Sequence, residues 1–76
     1  MNTATATLDA RGLNCPLPIL RTRKALNGLE RGAILEVIAT DPGSLRDMES
    51  FCQQTGNRLL SSSESDNRFF FLIEKA

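Results

Sequence analysis

Histidine, tryptophan and tyrosine are all missing from this sequence of 76 residues. Without histidine, the chain can form neither a Cys–His nucleophile pair nor a His-ligated metal site. Without tryptophan or tyrosine, it has a poor aromatic platform for stacking RNA bases. A Gly-rich phosphate-binding loop is also absent. The chemistry that remains is that of thiols, carboxylates and helix termini.

Net charge and long apolar runs are lacking too. Nine Lys and Arg balance nine Asp and Glu, so no bulk charge attracts nucleic acid or an anionic membrane. No segment approaches the ~20 apolar residues of a membrane span. The opening MNTATATLDA has neither the basic nor the apolar part of a signal peptide. We therefore expect a cytoplasmic protein with no direct nucleic-acid partner and no membrane partner.

The two cysteines, Cys15 and Cys52, form neither a CxxC pair nor a zinc cluster. A chain this short has a thin core with no deep cavity for a large cofactor, so we expect no metal and no resident cofactor. Cys52 falls on the predicted apolar face of the second helix, where a cysteine behaves as a small buried hydrophobe. A Cys15–Cys52 disulfide is not expected, since Cys15 should lie at the sheet edge and Cys52 in the core.

The length of 76 residues predicts a single domain over residues 1–76, and we expect residues 1–4 to be flexible. The predicted element order is βαβαββ, and the fold class is a two-layer α/β sandwich with two helices on one face of a mixed four-stranded sheet. The first two strands should be parallel with a right-handed crossover, and the last two an antiparallel hairpin. The predicted strands cover 5–10, 33–39, 58–63 and 68–75, and the predicted helices run from 16 to about 29 and from about 44 to 55.

The first helix begins at an unusual stretch, RGLNCPLP, in which prolines follow a cysteine. Pro16 and Pro18 suit the first turn, where backbone N–H groups have no intrahelical partner. Asn14 or Cys15 is then the predicted N-cap. The core-facing positions of this helix are Pro18, Ile19, Thr22, Ala25, Leu26 and Leu29.

The second helix carries two competing start signals. Ser44 and Asp47 resemble a capping box, and Asp41 before Pro42 is an alternative N-cap. The expected core face comprises Leu45, Met48, Phe51, Cys52 and Thr55. In the last strand, one of two alternating apolar sets must face the core: Phe69, Phe71 and Ile73, or Phe70 and Leu72.

Both strand-to-helix loops of a parallel pair lie at one edge of the sheet, so the Cys15 loop should adjoin the loop over 41–44. A helix N-terminus favours thiolate over thiol. Because Pro16 and Pro18 lack N–H groups, the nearest donors to the thiolate are Leu17 and Ile19. We therefore expect a modest lowering of the Cys15 pKa, to which Arg11 could add.

The segments LDARGLNCPLP (8–18), KAL (24–26), TDPGSLRD (40–47) and FC (51–52) resemble the TusA/SirA-like family of small sulfur carriers. The family signature is CPxP, here Cys15-Pro16-Leu17-Pro18, and the likeness runs from Leu8 to Lys75. The resemblance implies the same βαβαββ sandwich and a persulfide carried on Cys15. Motif or positioning roles fall on Asp9, Gly12, Pro16, Pro18 and Asp41, with Asp41 read first as a cap or turn residue and Gly12 and Gly43 as sites of backbone freedom.

The resemblance also implies partners. A cysteine desulfurase or rhodanese-type protein would donate sulfur, and a downstream relay protein would accept it. The pathway would be tRNA 2-thiolation, molybdenum cofactor chemistry or sulfur oxidation. Exposed leucines among cations would suit an acidic, partly apolar partner, although an ordinary solvated helix face explains them equally well. The candidate docking residues are Arg11, Leu17, Leu20, Arg21, Arg23 and Lys24.

Two other functions stay open. The first is a regulatory module that binds RNA or protein and in which Cys15 is only structural. The second is a thiol redox sensor, for which the sequence offers no resolving cysteine near Cys15.

Overall fold

The computed structural model describes residues 4–76, and the expectation for residues 1–3 lies outside them. The elements in chain order are β1 (Ala6–Ala10), α1 (Leu17–Asn27), β2 (Ile34–Ala39), α2 (Ser44–Thr55), β3 (Arg58–Ser65) and β4 (Arg68–Glu74). The predicted order is confirmed, with ends that shift by one or two residues. Neither helix in this part of the chain has the length and apolarity needed to cross a membrane.

The four strands form one mixed sheet in the order β1-β2-β4-β3. β1 runs parallel to β2, with Ala6 opposite Leu35. β4 runs antiparallel to both β2 and β3. β2 is therefore an interior strand, as its apolar run ILEVIA indicates. The two-layer α/β sandwich is confirmed.

The β3–β4 hairpin turns through two residues only. Asp66 and Asn67 have φ angles of 53° and 62°, the left-handed conformation that a tight type I′ turn requires. Asp and Asn tolerate this region better than other non-glycine residues. β3 therefore continues to Ser65, beyond the expected end at residue 63.

The core lies between the helices and the inner face of the sheet. Phe71 and Ile73 of β4 are 1% and 0% exposed, which settles which set of the last strand faces inward. Phe70 and Leu72 lie half-buried on the opposite face. The remaining buried apolar residues are Ala10, Leu26, Leu35, Val37, Ala39, Met48, Phe51 and Cys52.

The predicted core face of α1 is confirmed. Pro18, Thr22 and Leu26 are buried, at the steps of four that place side chains on one side of a helix. The helix ends at Asn27, two residues before the predicted end. The partly buried Leu29 lies beyond it and still packs against the core.

α2 begins differently from the prediction. Its N-cap is Gly43 and no side chain caps it, so the Ser44–Asp47 capping box is wrong. Ser44 instead takes a buried position in line with Met48, Phe51 and Cys52. Leu45, one residue further round the helix, is 40% exposed and not in the core as expected. Thr55, at the last turn, is exposed as well.

The two faces of the sheet can be compared with one matched substitution. Ile73→Val deletes a fully buried methyl group, and we expect it to lower the free energy of unfolding by about 0.5–1.5 kcal/mol. Ile38→Val removes the same group from a half-buried site on the outer face, so its loss should be smaller. Urea unfolding of both variants measures the difference. Equal losses would show that the outer face is covered in solution.

Candidate functional site: a thiol between two strand-to-helix loops

Two hydrogen bonds join the loops that precede the helices. The Cys15 N–H donates to Oδ2 of Asp41 at 3.0 Å, and the Gly12 N–H donates to Oγ1 of Thr40 at 2.9 Å. The loops are therefore neighbours, as the parallel pairing of β1 and β2 predicts. Asp41 also accepts a bond from the Gly43 N–H through Oδ1 at 3.3 Å. The Asp41 carboxylate thus stabilises its own turn and at the same time binds the backbone of Cys15.

The start of α1 leaves few donors for the thiol. Pro16, not Asn14 or Cys15, is the N-cap, and no side chain caps the helix. Pro18 lies at the second helical position and is buried. The Leu17 N–H donates to the Asn14 carbonyl at 2.8 Å. Contrary to the expectation, this N–H is therefore not free to bond a thiolate.

Gly12 is the glycine that this end of the sheet requires. Its φ is +80°, in the left-handed region that residues with a Cβ rarely adopt. This conformation accompanies the bond from its N–H to Thr40. Gly43, by contrast, has an ordinary helical φ of −79°, so the expected need for backbone freedom there is wrong.

Asp9 and Arg11 form a pair of their own. The Arg11 guanidinium donates to both Asp9 carboxylate oxygens, at 2.9 and 2.8 Å. These bonds, together with one from the Arg11 N–H, lower the pKa of Asp9 to about 2. Because Asp9 engages its guanidinium, Arg11 does not supply the positive charge that it could have added beside Cys15.

The Cys15 thiol is exposed and its pKa lies above the ordinary value. The main cause is hydrogen bonding of the protonated thiol to the Asp47 side chain; partial desolvation and the negative charges of Asp47 and Asp41 add to it. The expected lowering of this pKa is therefore wrong. Two helix starts favour a thiolate, but the nearby carboxylates oppose it more strongly.

Two hollows open beside the thiol. The larger, of about 630 Å³, runs along the loop before α2 and includes Asp41, Leu45, Arg46 and Glu49. The smaller, of about 210 Å³, lies between the helices and includes Ile19, Arg23, Phe51 and Gln54. Both are open to solvent, so they provide a surface on which a partner can reach Cys15 rather than an enclosed cavity.

The candidate docking residues lie along the exposed side of α1. Leu17 and Leu20 are 43% and 52% exposed, and Arg21, Arg23 and Lys24 are exposed as well. Arg23 reaches the smaller hollow, with its guanidinium 5.8 Å from the centre of the Phe51 ring. The other candidates are not among the residues that line either hollow: Arg11, Leu17, Leu20, Arg21 and Lys24.

Sequence reasoning missed two residues of this site. Leu45 was assigned to the core and Asp47 to a helix cap, yet both line the larger hollow. The signal for Asp47 was present: it falls in the first turn of α2, at the same sheet edge as Cys15. Cys52 is buried and burial raises its pKa, as expected of a packing residue. Both cysteines are free.

Fold and site together define a small α/β domain that presents one of its two thiols at the surface, between two helix starts. The family model described as "Sulfurtransferase TusA" matches residues 6–75. The chain belongs to this TusA family, and its role is that of a sulfur carrier.

Individual relatives agree with this assignment. The chain is 58% identical to the sulfur carrier protein TusA of Allochromatium vinosum, over 91% of each chain. It is 52% identical to a putative sulfur carrier protein of Neisseria meningitidis, over 90% of this chain and 92% of the relative. The crystal structure of a SirA-like protein from Desulfitobacterium hafniense superposes with a TM-score of 0.78 at 29% identity, covering 95% of this chain and 97% of the other.

The Asp9–Arg11 pair predicts an independent titration. Arg11→Gln removes the guanidinium, so the pKa of Asp9 should rise from about 2 toward its ordinary value of 3.8. The pKa of Cys15 should stay unchanged, because Arg11 is not among the groups that shift it. NMR titration of the Asp9 carboxyl and of the Cys15 Cβ measures both. A change at Cys15 would show that Arg11 acts on the thiol.

Proposed function

We propose that Cys15 is the residue that carries the sulfur, as a persulfide. The observation that supports this most strongly is its position: an exposed thiol beside two open hollows at the edge where both strand-to-helix loops meet. Cys52, in the core, offers a partner no access. The CPxP motif of the family also falls on Cys15.

The transfer needs only thiol chemistry. The Cys15 thiolate attacks the outer sulfur of a donor persulfide, a new S–S bond forms at Sγ, and the donor's own S–S bond breaks. The electron pair leaves on the donor thiolate, which takes up a proton in place of the one that Cys15 gave up on ionising. Sulfur is exchanged with no net oxidation, so neither metal nor redox cofactor enters the step. Passing the sulfur to the next thiol repeats the exchange with Cys15 as the leaving group.

The protein is in this sense a sulfurtransferase that works as a carrier, without turnover of its own. Its donor would be a cysteine desulfurase or a rhodanese-type protein, and its acceptor a relay protein. The acceptor would serve tRNA 2-thiolation, molybdenum cofactor chemistry or sulfur oxidation. We place this relay in the cytoplasm, where an exposed thiol is kept reduced.

The surface around Cys15 supports docking in a particular way. On the α1 side it presents Leu17 and Leu20 among cations. On the α2 side it presents Leu45 among the carboxylates of Asp41, Asp47 and Glu49, with Arg46 as the one cation that lines this hollow. A partner therefore meets apolar contacts on both sides of the thiol, with net charge of opposite sign on each side, which favours one orientation. The acidic, partly apolar partner surface expected from the sequence suits the α1 side alone.

A mass measurement tests the assignment of Cys15. Incubation with a cysteine desulfurase and cysteine should add about 32 Da, one sulfur atom, which a reductant removes. Cys15→Ser should lose this addition completely, since serine forms no persulfide. Cys52→Ser is the matched control and should keep it. Uptake retained by Cys15→Ser and lost by Cys52→Ser would overturn the assignment.

A second set of variants, tested for function in cells, distinguishes a sulfur carrier from a binding module. If Cys15 were only structural, Cys15→Ala would keep full function in cells, while charge reversals at Arg21, Arg23 and Lys24 would abolish it. The carrier proposal expects the opposite order: loss of function with Cys15→Ala, and a weaker, salt-dependent defect with the charge reversals.

A further inference from the structure

The two hollows beside the thiol have a shared wall. Cys15 and Asp47 are the two residues that line both of them. Asp47 lies in the first turn of α2 and is half-buried. A side chain built on Gly43 would meet carboxylate oxygens of both Asp41 and Asp47 at 3.9 Å, so the two acids flank the same point of the loop. Any partner that enters either hollow meets the Cys15–Asp47 pair.

Asp47 is distinguished from the other acids near this edge by what its carboxylate contacts. Asp9 is engaged by Arg11, and Asp41 is engaged by the Cys15 and Gly43 backbones. Neither of the ion pairs found within residues 4–76 includes Asp47. Asp47 instead borders Cys15 in both hollows.

We propose that Asp47 is a positioning residue for Cys15, whose carboxylate accepts the thiol hydrogen and keeps the unloaded carrier as a thiol until a partner docks. The inference rests on the proposed function, in which Cys15 is the sulfur-bearing residue. It adds a role for a residue outside the CPxP motif.

The surrounding charges agree with this role. Asp47 and Glu49 face the thiol region from α2, and Asp41 from the preceding loop; Arg46 and Arg23 are the cations that line the hollows. The carboxylates outnumber the cations, and Asp47 is the largest cause of the raised Cys15 pKa. A partner that covers Asp47 with a cation would remove this effect and release the thiolate where the donor sulfur lies.

Holding the empty carrier as a thiol has a chemical benefit. Oxidation of a cysteine follows its thiolate character and its exposure. Cys15 must be exposed in order to meet partners, so exposure cannot be reduced. Keeping the proton on Sγ limits sulfenic acid formation without closing the site. Ionisation of the empty carrier is then triggered by a docked donor and not by bulk solvent.

The pKa of Cys15 in the full chain tests the proposal without any sulfur donor. Thiolate absorption at 240 nm against pH gives the pKa, and iodoacetamide gives the rate of alkylation at pH 7. Asp47→Asn should lower the pKa and speed alkylation. Each unit of lowered pKa gives about ten times more thiolate, but a weaker nucleophile, so the rate should rise about threefold per unit.

Two further variants act as controls. Glu49→Gln removes an equal charge from the same hollow and should leave the pKa nearly unchanged. Asp47→Glu restores a carboxylate and should recover much of the raised pKa. The Cys52→Ser background limits the signal to Cys15, and circular dichroism confirms that each variant is folded.

The outcomes are distinct. An unchanged Cys15 pKa in Asp47→Asn would overturn the proposal, and so would equal shifts in Asp47→Asn and Glu49→Gln, because the second result indicates a diffuse charge effect. Failure of the proposed function looks different: sulfur uptake by Cys15→Ser is seen by mass, whatever Asp47 does to the thiol.

Discussion

The contact between the Asp41 carboxylate and the Cys15 backbone is the interaction on which the site depends. It joins the loop before α1 to the loop before α2 at 3.0 Å, while the other carboxylate oxygen accepts from Gly43. The parallel pairing of β1 and β2 brings the loops to one edge, and Asp41 fixes their separation. Cys15 and Asp47, one on each side of this link, thereby come to line the same two hollows.

Two electrostatic effects of opposite sign meet at that point. The N-termini of α1 and α2 carry partial positive charge, which favours a thiolate. The prolines weaken this effect, because Pro16 and Pro18 have no N–H to offer and the Leu17 N–H is bonded to Asn14. The carboxylates of Asp47 and Asp41 act in the other direction and prevail. The Cys15 pKa is therefore raised in the isolated protein, although the CPxP motif looks built to activate a cysteine. In our proposal, activation is left to the docked partner.

Most of the fold could be predicted from the sequence because its helices and strands follow local hydrophobic periodicity. The apolar run of β2 and the amphipathic pattern of α1 each act within a few residues and are found as predicted. The final hairpin is found too, with a longer β3 and a tighter turn than the sequence indicates. The proximity of the Cys15 loop to the loop over 41–44 was likewise predicted, from the parallel pairing of the first two strands. The errors concern side-chain contacts, some between distant segments and one, Asp9 with Arg11, between residues two positions apart. The rotation that buries Ser44 and exposes Leu45, the engagement of Arg11 by Asp9, and the approach of Asp47 to the thiol depend on side-chain packing that no spacing rule describes.

The central claim is that sulfur resides on Cys15, and peptide mapping of the wild-type protein tests it directly. The protein is loaded by a cysteine desulfurase, its persulfide is trapped with an alkylating reagent, and trypsin then separates the two cysteines into peptides 12–21 and 47–58. The account predicts the extra sulfur, about 32 Da, on peptide 12–21 and an unmodified thiol in peptide 47–58. Sulfur found on peptide 47–58, or on neither peptide after a donor has been consumed, would contradict it.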